Sequence, residues 1–206
     1  KDWPFAAALQ ADDFFEDPGL QAFKELQKAC EKAKVWPEVR KDCMAFLETG
    51  VHPVGKTGWP LPDTGFGRRE KSRRGNPPFT DVMIDIAIHE KRVDDVWHWY
   101  EVQKQKTRDW FGAQRDDVVA SIIASKYPDR AIAIWKKLAE WHISQTNVGH
   151  YSQAVSYLKK VRKLQDGPGK EAEWAAYLAN LTEVNKRKTR LVQMLNALSN
   201  KPIIAK

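Results

Sequence analysis

Residues 50–57 match the consensus of a phosphate-binding P-loop, the motif in this chain with the most direct chemical meaning. The match reads Gly50-Val51-His52-Pro53-Val54-Gly55-Lys56-Thr57. A working P-loop follows a strand and opens a helix, so that backbone N–H groups and the helix N-terminus surround the phosphates. Here an amphipathic helical pattern precedes the match and Gly/Pro-rich residues 58–62 follow it. No apolar strand ending in Asp lies downstream to hold Mg²⁺, so we interpret the match as a coincidence.

Candidate metal ligands are few and scattered. The five histidines are His52, His89, His98, His142 and His150. None of them forms the i, i+4 pair that is typical of a helical zinc site. Cys30 and Cys43 lie on neighbouring predicted helices, and we interpret them as small buried apolar residues. His142 lies on the inner stripe of its predicted helix, where a satisfied core histidine is expected. The sequence therefore predicts no metal and no cofactor in this chain.

Three carboxylate doublets could in principle supply acid–base chemistry. They are Asp12-Asp13, Asp94-Asp95 and Asp116-Asp117. We expect each doublet near the start of a helix, where carboxylates cap backbone N–H groups and complement the helix dipole. No Ser or Cys stands in a recognisable arrangement with His. The sequence predicts a protein that is not an enzyme.

Clusters of basic residues are the remaining candidate sites. We select two of them as candidate contacts with a partner or with nucleic acid, since such clusters neutralise phosphates. Their members are Arg68, Arg69, Lys71, Arg73 and Arg74, and then Lys186, Arg187, Lys188 and Arg190. A further run includes Lys159, Lys160 and Lys163, and we expect it to form an ordinary solvated helix face opposite Leu158 and Val161.

The sequence pattern predicts helices for almost all of the segments that position these residues. Apolar residues recur at three- and four-residue spacing, and alternating β-branched segments are scarce. Pro37 suits the first turn of a helix that stops at Gly50. Because no Gly or Pro occurs between Ala172 and Leu198, we favour one long helix there. The pattern predicts eight or nine helices of about 12 to 18 residues.

The predicted fold is an all-α array of antiparallel helix pairs that resembles tetratricopeptide-type repeats, with one long Gly/Pro-rich basic loop. We divide the chain into N-terminal helices at 1–50, the loop at 51–78 and a C-terminal helical-repeat region at 79–206, all within one continuous domain. A loop of this length is expected to be either disordered or functional.

Composition excludes several classes of protein. The chain has 206 residues, 42% of them hydrophobic and 30% charged, which excludes a disordered tail or a collagenous repeat. No apolar run approaches the ~20 residues of a membrane span. Two cysteines are too few for a disulfide framework and point to a reducing, cytoplasmic location. Because the chain begins without Met, we expect it to be a piece of a longer protein.

The net charge of +7 is unevenly distributed along the chain. Residues 1–50 carry seven basic and ten acidic side chains, a net charge of −3. Residues 111–206 carry sixteen and eight, a net charge of +8, and the loop at 51–78 carries +4. This polarity favours a scaffold with one basic end and one basic loop over a uniform nucleic-acid coat.

Several short segments resemble the helical region C-terminal to the zinc finger of bacterial SWIM zinc-finger proteins. They include WPLP at 59–62, MIDIAI at 83–88, YPDRA at 127–131, WKKLAE at 135–140, YSQA at 151–154, YLKKVR at 157–162 and WAAYL at 174–178. The resemblance implies a helical array like tetratricopeptide repeats in a cytoplasmic interaction module. The Cys-x-Cys and Cys-x-His pairs that define the family are absent from this chain. We expect the finger to lie N-terminal to Lys1, and its zinc-dependent binding is assigned to no residue here.

These observations predict a non-catalytic helical-repeat scaffold that binds a protein partner, as part of a larger SWIM zinc-finger-type protein. The alternative is a nucleic-acid-binding module that uses the basic loop and the basic C-terminal helices. No contact with a membrane is expected.

Overall fold

The computed structural model describes residues 2–66, 75–106, 113–165 and 169–199. Within these ranges the chain forms ten α-helices and no β-strand, which confirms the all-α prediction. They are α1 (Trp3–Glu16), α2 (Leu20–Ala33), α3 (Trp36–Thr49), α4 (Thr80–His89), α5 (Val93–Lys106), α6 (Ala113–Ile123), α7 (Pro128–Ser144), α8 (Val148–Leu164), α9 (Lys170–Val184) and α10 (Thr189–Ser199).

The chain divides into two compact units, Lys1–Arg108 and Asp109–Lys206. In the first unit α1 packs against α2 and α4 against α5, and in the second α7 packs against both α6 and α8. Because short turns join these neighbours, they run antiparallel. The division of the chain at 51 and 79, and its continuity as one domain, stay predictions.

Phenylalanine side chains form the centre of the first unit. Phe14 and Phe15 of α1, Phe23 of α2 and Phe46 of α3 are at most 1% exposed. The Phe15 and Phe46 rings meet edge to face with their centroids 4.8 Å apart. Burying one such ring contributes about 2 kcal/mol, so these side chains fix the packing of the first three helices.

The predicted start and end of α3 are confirmed. Pro37 lies in its first turn, and Gly50 caps its C-terminus with a φ of 73°. Gly50 also lies against Pro77, such that an added Cβ would be 2.7 Å from the Pro77 Cγ. The chain therefore leaves α3 and returns towards α4 past the same point.

Helices of the second unit bury one apolar residue after another along their inner faces. Fully buried side chains include Ile123 of α6, Leu138 of α7 and Leu158 of α8. In addition, the Tyr177 hydroxyl of α9 donates a hydrogen bond to the Glu140 carboxylate of α7, at 3.1 Å. Burial, and then the charge of Glu140, raise the pKa of Tyr177, so this phenol stays protonated.

The single long helix expected between 172 and 198 is wrong, because α9 ends at Val184 and α10 begins at Thr189. The buried Asn185 amide donates to the Leu181 carbonyl at 2.9 Å, and the Lys188 N–H donates to the Asn185 carbonyl at 2.8 Å. Asn interrupts helices in this way because its side chain offers the backbone alternative hydrogen bonds. This break accounts for a tenth helix where eight or nine were predicted.

Candidate interaction surfaces

The basic loop cluster predicted from the sequence lies outside the described residues. Its members are Arg68, Arg69, Lys71, Arg73 and Arg74. The residues on either side of it, 50–66 and 75–79, contain no helix.

The segment that precedes the cluster is packed onto the core of the first unit. Pro53 and Leu61 are buried. The His52 ring contacts Phe46 with centroids 4.9 Å apart, and the Trp59 ring lies 5.9 Å from that of Phe15. A Gly/Pro-rich sequence is thus held by apolar contacts rather than by regular secondary structure.

Thr64 fixes the last part of this segment to α1. Its hydroxyl donates a hydrogen bond to the Asp12 carboxylate, and the Gly65 N–H donates to the Asp63 carboxylate at 3.0 Å. Asp12 lies near the C-terminal end of α1, so the prediction that the Asp12-Asp13 doublet lies at a helix start is wrong. The Thr64 hydroxyl, rather than helix N–H groups, satisfies this carboxylate.

The chain after the cluster is fixed to α3. The Phe79 N–H donates to the Leu47 carbonyl at 2.9 Å, and the Phe79 ring stacks on Phe46 with centroids 5.9 Å apart. Together with the contact between Pro77 and Gly50, these interactions anchor the second flank.

Phe66 is the most exposed aromatic side chain among the residues whose burial the structure defines, at 66% exposed. It follows the anchored Thr64 by two residues and precedes Arg68 by two. Exposed aromatic and arginine side chains are the residue types that dominate protein interfaces. Sequence analysis missed Phe66, although its position beside the basic run was a usable signal.

The P-loop match has neither of the neighbours that phosphate binding requires. Helix α3 precedes it, and tight turns lie within and directly after it, in which the Lys56 N–H donates to the Pro53 carbonyl and the Trp59 N–H donates to the Lys56 carbonyl. These backbone groups are therefore satisfied within the chain.

The second predicted cluster surrounds the turn between α9 and α10. Lys188 is half-buried, and its ammonium donates to the Ile143 carbonyl at the C-terminus of α7, at 2.9 Å. Lys186 pairs with Glu183 at 2.7 Å. Arg187 and Arg190 are exposed. The turn thus uses Lys188 as a structural link and presents the other cations to solvent.

The basic run of α8 is less solvated than predicted. Lys160 is half-buried and pairs with Asp117 of α6, whose carboxylate also accepts a hydrogen bond from the Trp135 indole at 2.8 Å. The Lys160 ammonium lies 5.5 Å from the centroid of the Tyr157 ring. Placing Lys160 on a solvated face was wrong, because helical periodicity does not reveal that α6 offers it a carboxylate.

The other two doublets lie at helix starts as predicted. Asp94 and Asp95 are in the first turn of α5, and Asp116 is in the first turn of α6. The prediction of N-terminal carboxylates therefore held for these two doublets and failed for Asp12-Asp13.

A groove of about 420 Å³ at the turn between α1 and α2 gathers acidic side chains. Asp13, Glu16, Asp17 and Glu25 line it. These carboxylates contribute to the net negative charge of residues 1–50.

Neither thiol is activated as a nucleophile. Cys30 and Cys43 are both buried and free. Burial, and then the charge of Glu31, raise the pKa of Cys30 to about 12. Burial, followed by the charge of Cys30, raises the pKa of Cys43 well above its ordinary value. Both thiols are therefore protonated at neutral pH.

Two histidines that are eight residues apart meet across the turn between α7 and α8. The Nδ1 atoms of His142 and His150 are 2.8 Å apart, and His142 is 7% exposed. The interpretation of His142 as a satisfied core histidine is confirmed. The pair escaped sequence analysis because its partners lie on different helices. Over the described ranges, no group of three or more His, Cys, Asp or Glu side chains could hold a metal ion.

Comparison with known proteins yields no match to a protein-family model, a curated protein or a solved structure. The resemblance to SWIM zinc-finger proteins therefore stays a prediction. In the part of the chain that the structure covers, no helix combines the length and apolar character needed to cross a membrane.

Proposed function

We propose that this chain is a non-catalytic α-helical scaffold that binds a protein partner through the anchored segment around Phe66. The observation that carries this proposal is an aromatic side chain, 66% exposed, on backbone held to the core through Thr64 and Asp12. An anchored segment loses less conformational entropy on binding than a free one, so more of the contact energy remains as affinity.

Tryptophan exposure supports an interaction role. Of the eight tryptophans whose burial is defined, Trp135 and Trp174 are buried and the other six are half-buried. Half-buried indoles offer large apolar contact areas at low entropic cost, and tryptophan is enriched among the residues that dominate binding energy. A tetratricopeptide-like array in a cytoplasmic SWIM zinc-finger-type protein is the setting that we propose for this scaffold.

Site-specific photo-crosslinking tests the proposal. A benzophenone amino acid replaces Phe66 in one variant and Val184, which is 74% exposed on the second unit, in a matched control. We expect a defined protein adduct from position 66 that is absent from position 184. An excess of wild-type chain should compete it away, whereas an excess of Phe66→Ser should not. Identical adducts from both positions, or equal competition by both chains, would contradict the proposal.

The exposed cations at the turn between α9 and α10 support a second candidate function, nucleic-acid binding. Arg187 and Arg190 are exposed at the start of α10, where the helix dipole also favours anions. If they contact phosphates, the double variant Arg187→Ala/Arg190→Ala should lower the slope of log K against log salt by about one to two. The measurement is titration of labelled DNA and RNA at several salt concentrations. A salt-independent signal, or an unchanged slope, would exclude this candidate.

The proposal that the chain is not a nucleotide-dependent enzyme has a simple check. Residues 58–66, directly after the P-loop match, form no helix, and the Lys56 N–H already donates to the Pro53 carbonyl. We therefore expect no change in thermal stability with ATP and Mg²⁺, and no difference between wild type and Lys56→Ala. A stabilisation that Lys56→Ala abolishes would overturn this proposal.

A further inference from the structure

The histidine pair between α7 and α8 shares one hydrogen bond between two identical groups. Because the Nδ1 atoms of His142 and His150 are 2.8 Å apart, one of them must donate and the other must accept. A single added proton on the donor ring keeps this bond. A second proton would leave two N–H groups facing each other and break it.

Aromatic rings enclose the pair. Trp141 contacts both histidines edge to face, with centroids 4.8 Å from His142 and 5.8 Å from His150. The Tyr157 ring of α8 lies 5.6 Å from that of His142. Burial raises the pKa of Tyr157, and so do the charges of Asp117 and Asp116 of α6, so this neighbour brings no charge.

Burial and the partner histidine disfavour positive charge on His142. The Lys188 ammonium lies on the carbonyl of Ile143, the residue after His142. His150 lies in the first turn of α8, where the helix dipole opposes a cation, whereas the C-terminus of α7 favours one on His142. Of the α6 carboxylates, Asp117 is paired with Lys160. Burial, and then His150, lower the pKa of His142.

We propose that the His142–His150 pair is a pH-responsive clamp, which holds the α7–α8 turn closed at neutral pH and loosens it in mild acid. The link from Lys188 to Ile143 extends the effect to the turn between α9 and α10. That turn presents Lys186, Arg187 and Arg190 to solvent. Acidification therefore changes the conformation of the turn that carries this basic surface. The inference is independent of whether the surface binds a partner.

The sign of the effect follows from proton linkage. An unfolded histidine takes up a proton near pH 6.5, and folded His142 does so only at lower pH. Between these values the unfolded chain binds more protons, so stability declines as the pH falls. The contribution of His142 is complete above the unfolded pKa and is lost as the pH falls through its lowered folded pKa.

The experiment follows the imidazole nitrogens of the 206-residue chain by NMR from pH 7.5 to 4.5. His98 is the internal reference, since it is exposed and contacts Trp99 with centroids 4.6 Å apart. We expect the clamp to take up its two protons in separate steps more than about one pH unit apart. Two coincident steps would overturn the proposal without any variant.

Variants test the mechanical consequence. His150→Phe keeps an aromatic ring against Trp141 but cannot be protonated, and His98→Phe is the matched control. Between pH 7.5 and 5.5, amide exchange in residues 143–150 and 185–190, corrected for intrinsic rates, should rise at least about twofold in wild type and His98→Phe. It should not rise in His150→Phe. An equal rise in all three chains contradicts the clamp, and if His150→Phe does not fold, His150→Gln replaces it.

Discussion

Gly50 is the residue on which the path of the chain between α3 and α4 depends. It combines a φ of 73° with close contact to the Pro77 ring. A side chain at this position meets two separate obstacles, the conformational cost of the left-handed region and a clash with a rigid ring. Gly55 has a φ of 85°, but an added Cβ there would meet open space. Substitution of Gly55 therefore measures the conformational cost without a clash.

Replacing Gly50 with alanine should therefore destabilise the chain by about 2 to 3 kcal/mol, and Gly55→Ala should cost only about 1. The difference reports the clash with Pro77. Urea denaturation gives the free energy of unfolding of both variants and of wild type. Equal losses in the two variants would show that the contact between Gly50 and Pro77 does not constrain the chain.

The ends of the helices show most clearly which features of the fold could be predicted from the sequence. Pro37 and Gly50 marked the bounds of α3, because a fixed φ and a left-handed cap are local properties of the residue itself. The end of α9 carried a weaker local signal, since Asn185 is tolerated in helices and ends this one by donating its side-chain amide to the Leu181 carbonyl. The contact of Lys188 with α7, which is long-range, left no signal in the sequence.

The candidate sites follow the same division. The clusters of cations could be identified from the sequence, but the contacts that these cations make could not. Lys160 and Lys188 are held by Asp117 and Ile143, 43 and 45 residues away in sequence. The meeting of His142 with His150 likewise depends on how the α7–α8 turn closes. Periodicity assigns a residue to a face, whereas the neighbour across that face is set by tertiary packing.

The contact between Lys188 and the Ile143 carbonyl, which joins the α9–α10 turn to α7, should contribute to stability. Lys188→Met removes an ammonium that satisfies a C-terminal carbonyl of α7, at a cost of about 1 kcal/mol. Lys186→Met, which removes a cation paired with Glu183 at the surface, should change stability by less than about 0.5 kcal/mol. Chemical denaturation and amide exchange at residues 143–147 provide the comparison. Equal effects of the two substitutions would mean that the Lys188 contact does not hold the turn.

At the scale of the whole molecule, the two units respond to acid through different groups. In the first unit Arg40 of α3 holds Glu90, which caps α4, with two hydrogen bonds, one of them from Nε at 2.7 Å. Burial alone would raise the pKa of Glu90, but the hydrogen bond and charge of Arg40, with Arg92 and His89, outweigh it and lower the pKa. The second unit carries the His142–His150 pair.

Acidification should therefore loosen the second unit before the first. The contribution of His142 declines below pH 6.5, whereas that of Glu90 is complete above its ordinary pKa of 4.5 and is lost as the pH falls through its lowered folded pKa. Residue-resolved amide exchange across a pH series should show protection lost first around the α7–α8 turn and later where α3 meets Glu90. A simultaneous loss in both units would contradict this order.

Arg40→Met provides the decisive variant for the first unit. It should lower the free energy of unfolding by about 1 kcal/mol at pH 7 and by less at an acidic pH below the lowered pKa of Glu90, where the protonated carboxyl no longer attracts a guanidinium. It should leave exchange at the α7–α8 turn unchanged, because Arg40 and the histidine pair belong to different units. Arg92→Met is the comparison, since that guanidinium is half-exposed, lies 3.7 Å from Glu90 and also pairs with Asp95, so its effect through Glu90 should be smaller than that of Arg40→Met. A loss from Arg40→Met that is equal at both pH values would show that packing of the arginine stem, and not its charge, joins α3 to the end of α4.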